Sequence, residues 1–162
     1  MTNEADFPKS LVTLLREVLD GPSPSGAYVL NRDDRGLLRS LDALSAAAAS
    51  AHQDGRPSVA AHVEHLRYGL ELLNRWARGA DPWSTASYSS SWLRDRVNDE
   101  QWKTLRDALR HEASNWIAAV QQRSDWNEQA LTEALASAVH LAYHLGAIRQ
   151  MAPATRGPRA ND

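Results

Sequence analysis

The sequence predicts an all-α fold: a four-helix bundle with a long crossover between its second and third core helices and a short accessory helix at the N-terminus. Three observations carry this reading. β-Branched residues are sparse and alternating apolar patterns are short, so strand signals are nearly absent. Ala, Leu, Arg and Glu dominate the long segments, and all four favour helix. Apolar residues recur every three or four positions over stretches long enough for the helices of a bundle. At 162 residues the chain is about the length of one domain and can bury a continuous core. Residues 1–151 are expected to form that domain, with its core in 33–151, and residues 152–162 a disordered tail.

The accessory helix runs from about Pro8 to Asp20 and is stopped by the turn-rich "GPSPSG". The first core helix is expected over Asp33 to Ala51, with Leu37, Leu41, Leu44 and Ala48 at helical spacing, ending in "HQDGRP". The second opens at Pro57-Ser58, where proline suits a first turn and serine can cap, and stops near Gly79. Its apolar seam is Val59, Val63, Leu66, Leu70, Leu73 and Ala77. Residues 80–97, "ADPWSTASYSSSWLRDRV", have no periodicity and are long for a connection, which suits a crossover running the height of a bundle. The third core helix starts at "NDEQ", where Asn98 caps and Gln101 completes a capping box, and buries Trp102, Leu105, Leu109, Trp116 and Val120. The fourth runs from about Asn127 to Met151, with Leu131, Leu135, Ala138, Leu141, Leu145 and Ile148 on one stripe. Two short connections and one long one describe the bundle.

Bulk charge narrows the function classes. A formal net charge of −2, with 18 Lys and Arg scattered along the chain, gives no basic footprint and argues against nucleic acid or anionic membrane as a partner. The absence of cysteine excludes disulfides, thiolate ligands and a cysteine nucleophile. The N-terminus is acidic where a signal peptide is basic, its apolar stretch is broken by Arg16 and Glu17, and no apolar run approaches spanning length. The cytoplasm is the expected location.

The chemistry is concentrated in histidine. In "HLAYHLGAIRQ", His140 and His144 stand four positions apart, so one helix face directs two imidazoles at one point. The small residues Ser137 and Ala147 share that stripe and leave room beside them. On the second core helix, "SVAAHVEHLRYGL" carries His62 and His65. At 1.5 Å per residue, His65 lies about 12 Å below the helix start near Pro57, and His144 about 10 Å before the helix end near Met151. Antiparallel helices bring them to the same depth. The third ligand is then His65 or His62, the other standing behind a ligand. His52, in a loop, and His111, beside charged Arg110 and Glu112, are expected outside the site.

The order of a capped helix start "PSVAAHVEHL", a Trp-rich crossover and "HLAYHLGAIRQ" resembles the DinB-like (YfiT-like) superfamily of helical-bundle metalloproteins, over residues 33 to 151. That family's His-x-x-x-His-x-Gly motif falls on His140, His144 and Gly146, and the resemblance implies His65 as the third ligand. Many members have glutamine after the glycine, where this chain has Ala147.

Three neutral imidazoles leave a divalent ion its full charge and an open coordination position, the arrangement of a catalytic rather than a closed structural site. Zn²⁺ there lowers the pKa of bound water or of an incoming thiol. Zinc or nickel is the first expectation for the metal and iron or manganese the next, since three nitrogens suit all of them. The resemblance implies a transferase or isomerase that uses a low-molecular-weight thiol. Competing readings are a metal-dependent hydrolase and a non-catalytic helical module forming a homodimer. The returning crossover brings Ser91, Trp92 and Trp102 toward the histidines, and with Tyr68 nearby these are the candidates to line a small-molecule pocket; Trp102 serves equally well as a core residue, and Tyr143, close to the ligands in sequence, is expected to pack with its hydroxyl in water. No Asp or Glu is placed as a catalytic base: Glu64 points about 100° away from His65 around the helix.

Overall fold

The computed structural model of the chain describes residues 6–52 and 55–159. Among these, the elements are α1 (Asp6–Asp20), α2 (Gly36–Leu41), α3 (Ala46–Ala49), α4 (Val59–Ala77), α5 (Asp99–Gln122) and α6 (Glu128–Met151), with short 3₁₀ turns at Trp83–Thr85, Ser90–Trp92 and Pro153–Thr155. The fold is an all-α bundle. Its four long helices are α1, α4, α5 and α6, and each of α1 and α4 packs against both α5 and α6. Ser58 at the start of α4 donates its hydroxyl to the Asp95 carbonyl just before α5, so α4 and α5 run in the same direction. The connection between them, residues 78–98, therefore crosses the height of the bundle, as the sequence predicts.

The helix starts follow their capping residues. Ser58 accepts from the Ala61 N–H, Asn127 from Ala130, and Asn98 with Gln101 forms a reciprocal capping box. The N-terminal helix α1 is built deeply into the core, where Leu11, Leu15, Val18 and Leu19 form one buried stripe.

The single helix expected over Asp33 to Ala51 is instead two short helices, α2 and α3, separated by residues 42–45. The cause is a long-range contact. In an unbroken helix the Leu44 carbonyl would accept from the Ala48 N–H; here it accepts from the Trp102 indole N–H at 2.8 Å, and Ala48 turns to the Ser45 hydroxyl at 3.1 Å. Asp42, in the break, reaches Arg106 and Arg110 of α5. Leu135, predicted on the buried stripe of α6, is exposed, while Ala130, Ala134 and Ala138 are buried. Apolar residues occur all round this helix, so hydrophobicity alone does not pick its inner face.

Two buried carboxylates shape the segment between α1 and α2. Glu17, only 3% exposed, accepts from the backbone N–H groups of Tyr28, Val29 and Leu30. Asp34 accepts from the Gly36 N–H and from Arg149 near the end of α6, at 2.9 and 2.6 Å. The tail expected to be disordered folds back over residues 152–159: Thr155 is buried, Arg156 donates to the Arg149 carbonyl, and Asn31 donates to Pro158. Residues 160–162 of that tail lie outside the described residues.

Gly21 and Gly36 meet backbone to backbone at this corner, with φ of +100° and +66°. A Cβ on Gly36 would overlap the Gly21 nitrogen. Gly36→Ala is therefore expected to cost at least about 2 kcal/mol, from the left-handed backbone and the overlap together. The urea midpoint measures it; a change within about 0.5 kcal/mol, the range of ordinary surface substitutions, would show that the corner can open.

Candidate metal centre

His62 and His65 lie one turn apart on the buried side of α4, and His140 and His144 one turn apart on α6. The antiparallel pairing of the two helices brings all four rings together. The Nε2 atoms of His65 and His140 are 3.1 Å apart, and those of His140 and His144 are 2.9 Å apart. His65, His140 and His144 form the group able to hold one metal ion. His62 stands behind it, its Nδ1 2.8 Å from the Nδ1 of His144. His52 bonds the Arg56 carbonyl and Asp95, and His111 sits exposed beside Asn115.

The hydrogen bonds around the cluster bear on protonation. The Ser91 hydroxyl donates to the Tyr88 carbonyl at 2.6 Å, so toward His65 Nδ1, at 2.8 Å, its oxygen can only accept. His65 thus carries its proton on Nδ1 and turns a bare Nε2 lone pair toward His140. Facing lone pairs repel unless a proton or a cation lies between them. A metal–nitrogen bond of about 2.0–2.1 Å would place two ligating nitrogens about 3 to 3.4 Å apart. The donor set and its spacing fit a borderline divalent ion.

Burial lowers the pKa of all four histidines, and it is the largest cause for each. His65 is held at about 4 and His144 at about 3, with repulsion from neighbouring imidazoles adding to the burial. Neutral imidazoles are the state a metal requires. Because the unfolded chain takes up protons near pH 6.5 while these folded rings stay neutral, the native state binds fewer protons below that pH. The metal-free protein is expected to lose stability as pH falls from about 6.5 toward about 4, with the loss levelling off below the folded pKa values. Urea midpoints at a series of pH values measure this, and His65→Gln with His144→Gln should flatten the curve. A slope unchanged in that double variant would assign it to other groups.

The crossover roofs the cluster. Trp92 stacks on His65, with ring centroids 4.3 Å apart, and meets His62 edge-on at 5.1 Å. Tyr143 contacts His144 edge-on from an exposed position. Tyr68 accepts the Ser87 N–H and so anchors the crossover to α4. Trp102 takes its core role: it is buried, bonded to Leu44, and has no ring contact with the histidines among the described residues. Glu64 is held by Arg67 and Arg94, away from the cluster.

Three contributors escape the sequence reading. Tyr88 accepts the bond from Ser91 and lies 6.2 Å from His65, ring to ring. Trp83 and Glu133 line a small groove that His140 also lines. Glu133 could have been found, because it precedes His140 by two helical turns and shares its face. The crossover residues carry no periodic signal.

The chain matches no protein-family model, no curated protein and no solved structure.

Proposed function

We propose that this protein is a divalent-metal-dependent enzyme whose centre is His65, His140 and His144, resembling the DinB-like bundles. One observation carries the reading: three imidazoles from two helices, those of His65 and His144 buried and that of His140 half-buried, converge through Nε2, with the tautomer of His65 set by Ser91. The ion such a set would hold, zinc or nickel first and iron or manganese next, supplies a Lewis acid with an open position for a substrate atom. The chain's own residues do the rest. His62 holds His144 from behind, Ser91 orients His65, and Trp92 covers the cluster and keeps water from its crossover side. No carboxylate bonds the imidazoles among the described residues, so they would leave the charge of the ion undiminished.

The reaction proposed is group transfer or isomerisation with a low-molecular-weight thiol as co-substrate, in the cytoplasm. Metal-replete protein assayed on electrophiles with and without added thiols tests it. Turnover that requires both thiol and metal supports the reading, and turnover without thiol points to a hydrolase. Stoichiometric metal with no turnover on the panel would favour a non-catalytic module. One surface feature favours a homodimer: Leu135, Val139 and Tyr143 form an exposed apolar stripe at four-residue spacing on α6. Concentration-dependent sedimentation would reveal it. Among the described residues no helix is long and apolar enough to cross a membrane.

A further inference from the structure

The groove beside the histidines has walls that specify an occupant. It encloses about 160 Å³ between α4 and α6, bounded by Leu66, Leu70, Leu73 and Leu141 and by the crossover rings of Trp83 and Tyr88. An apolar cavity of about 150 Å³ is enough to take a benzene-sized molecule. Gly69 leaves space beside His140, where an added Cβ would reach only ordinary contact at 3.9 Å. Ser137, one polar wall residue, is already committed: it accepts from the Trp116 indole and donates to the Ala134 carbonyl.

One wall residue is charged. Glu133 is half-buried in the groove, and no ion pair among the described residues involves it. It stands seven residues before His140, so carboxylate and imidazole share a face about 10 Å apart along the axis. A half-buried carboxylate with two aromatic rings in the same wall is a setting that attracts an organic cation and repels an anion. A separation of about 10 Å also weakens the repulsion between a cation at Glu133 and a divalent ion at the histidines, and the Glu133 carboxylate offsets the charge of that cation.

We propose that the groove binds a small organic ammonium. Its ring-sized apolar body packs on the leucines, its ammonium meets Glu133 and the faces of Trp83 and Tyr88, and its other end points to His140. This gives the substrate class for the proposed metal centre and rests on that reading for its catalytic meaning, though not for binding itself.

Benzylamine, benzyl alcohol and benzoate share one ring and differ in charge at neutral pH. Each is titrated into the full-length protein, with and without Zn²⁺, while the Trp83 indole N–H is followed by ¹H–¹⁵N correlation spectra and assigned through Trp83→Phe. Benzylamine should bind roughly tenfold more tightly than benzyl alcohol, the weak but real gain of a half-buried ion pair and ring contacts, and benzoate weakest. Glu133→Gln should bring benzylamine down to the level of the alcohol and leave the alcohol unchanged. Glu133→Lys should reverse the order in favour of benzoate, with thermal melts confirming that both variants fold. Equal affinity for the three probes, a benzylamine preference that survives Glu133→Gln, or no indole shift with any probe would overturn the proposal. A benzylamine preference in a protein that binds no Zn²⁺ would leave the groove standing and remove the metalloenzyme reading. Tight Zn²⁺ binding with no preference would do the reverse.

Discussion

Zn²⁺ or Ni²⁺ added to the metal-free chain is expected to bind at one ion per chain and raise its melting temperature, and His144→Ala is expected to abolish both effects. A ligand that binds only the folded state contributes about 2.7 kcal/mol at a hundred times its Kd. For a chain of this length that is roughly 5 to 10 °C. His65→Ala and His140→Ala should behave as His144→Ala does, since each removes one of three converging Nε2 atoms. His62→Ala should weaken binding by about 10- to 100-fold without abolishing it, because it removes only the partner of the His144 Nδ1. His52→Ala and His111→Ala should change nothing. Elemental analysis and calorimetry read these outcomes independently of any turnover. If His111→Ala lost as much metal as His144→Ala, or the melting temperature ignored both ions, the histidine centre would not be a metal site.

The second large effect is on stability. Asp34→Ala should cost about 3 to 5 kcal/mol, the loss expected when one partner of a buried ion pair is removed. Its side chain is 2% exposed and that of Arg149 is 17% exposed, so the guanidinium would be left in place without its counter-charge. The Arg149 Nε already has no hydrogen-bond partner among the described residues, which leaves little to compensate. Asp34→Asn keeps an oxygen for the Gly36 N–H and should fall between the unaltered protein and Asp34→Ala. Urea denaturation measures both, and a loss below about 1 kcal/mol for Asp34→Ala would mean that Arg149 swings out to water.

What could be read from the sequence was local. Ser58 and Asn98 with Gln101 cap the helices that the sequence assigns them, because capping depends on residues three positions apart, and Asn127 caps the fourth in the same way. The meeting of His65 with His144 followed from helix rise and antiparallel packing alone. What could not be read depended on distant partners. Nothing within residues 33–51 announces that the Leu44 carbonyl belongs to Trp102, 58 residues on. The tail packs because the Arg149 carbonyl just before it and the distant Asn31, 127 residues from Pro158, hold it, and neither polar contact shows in the pattern of apolar residues. Trp83 and Tyr88 gain their positions from a crossover held at Tyr68 and Ser91, so a reading by periodicity passes over them.

The bond from His65 to Ser91 has a consequence for the chain's resistance to proteolysis. Ser91 is pinned between a histidine of the centre and a carbonyl of its own turn, so the serine-rich strap and the centre share one hydrogen-bonded joint. An ion that fixes the His65 ring would fix that joint as well, and local opening of residues 84–93 would then have to break it. Trypsin has Arg94 and Arg96 at the edge of the strap, and chymotrypsin has Tyr88 and Trp92 within it. Cleavage at these sites would report, residue by residue, how far the centre's occupancy spreads into the fold.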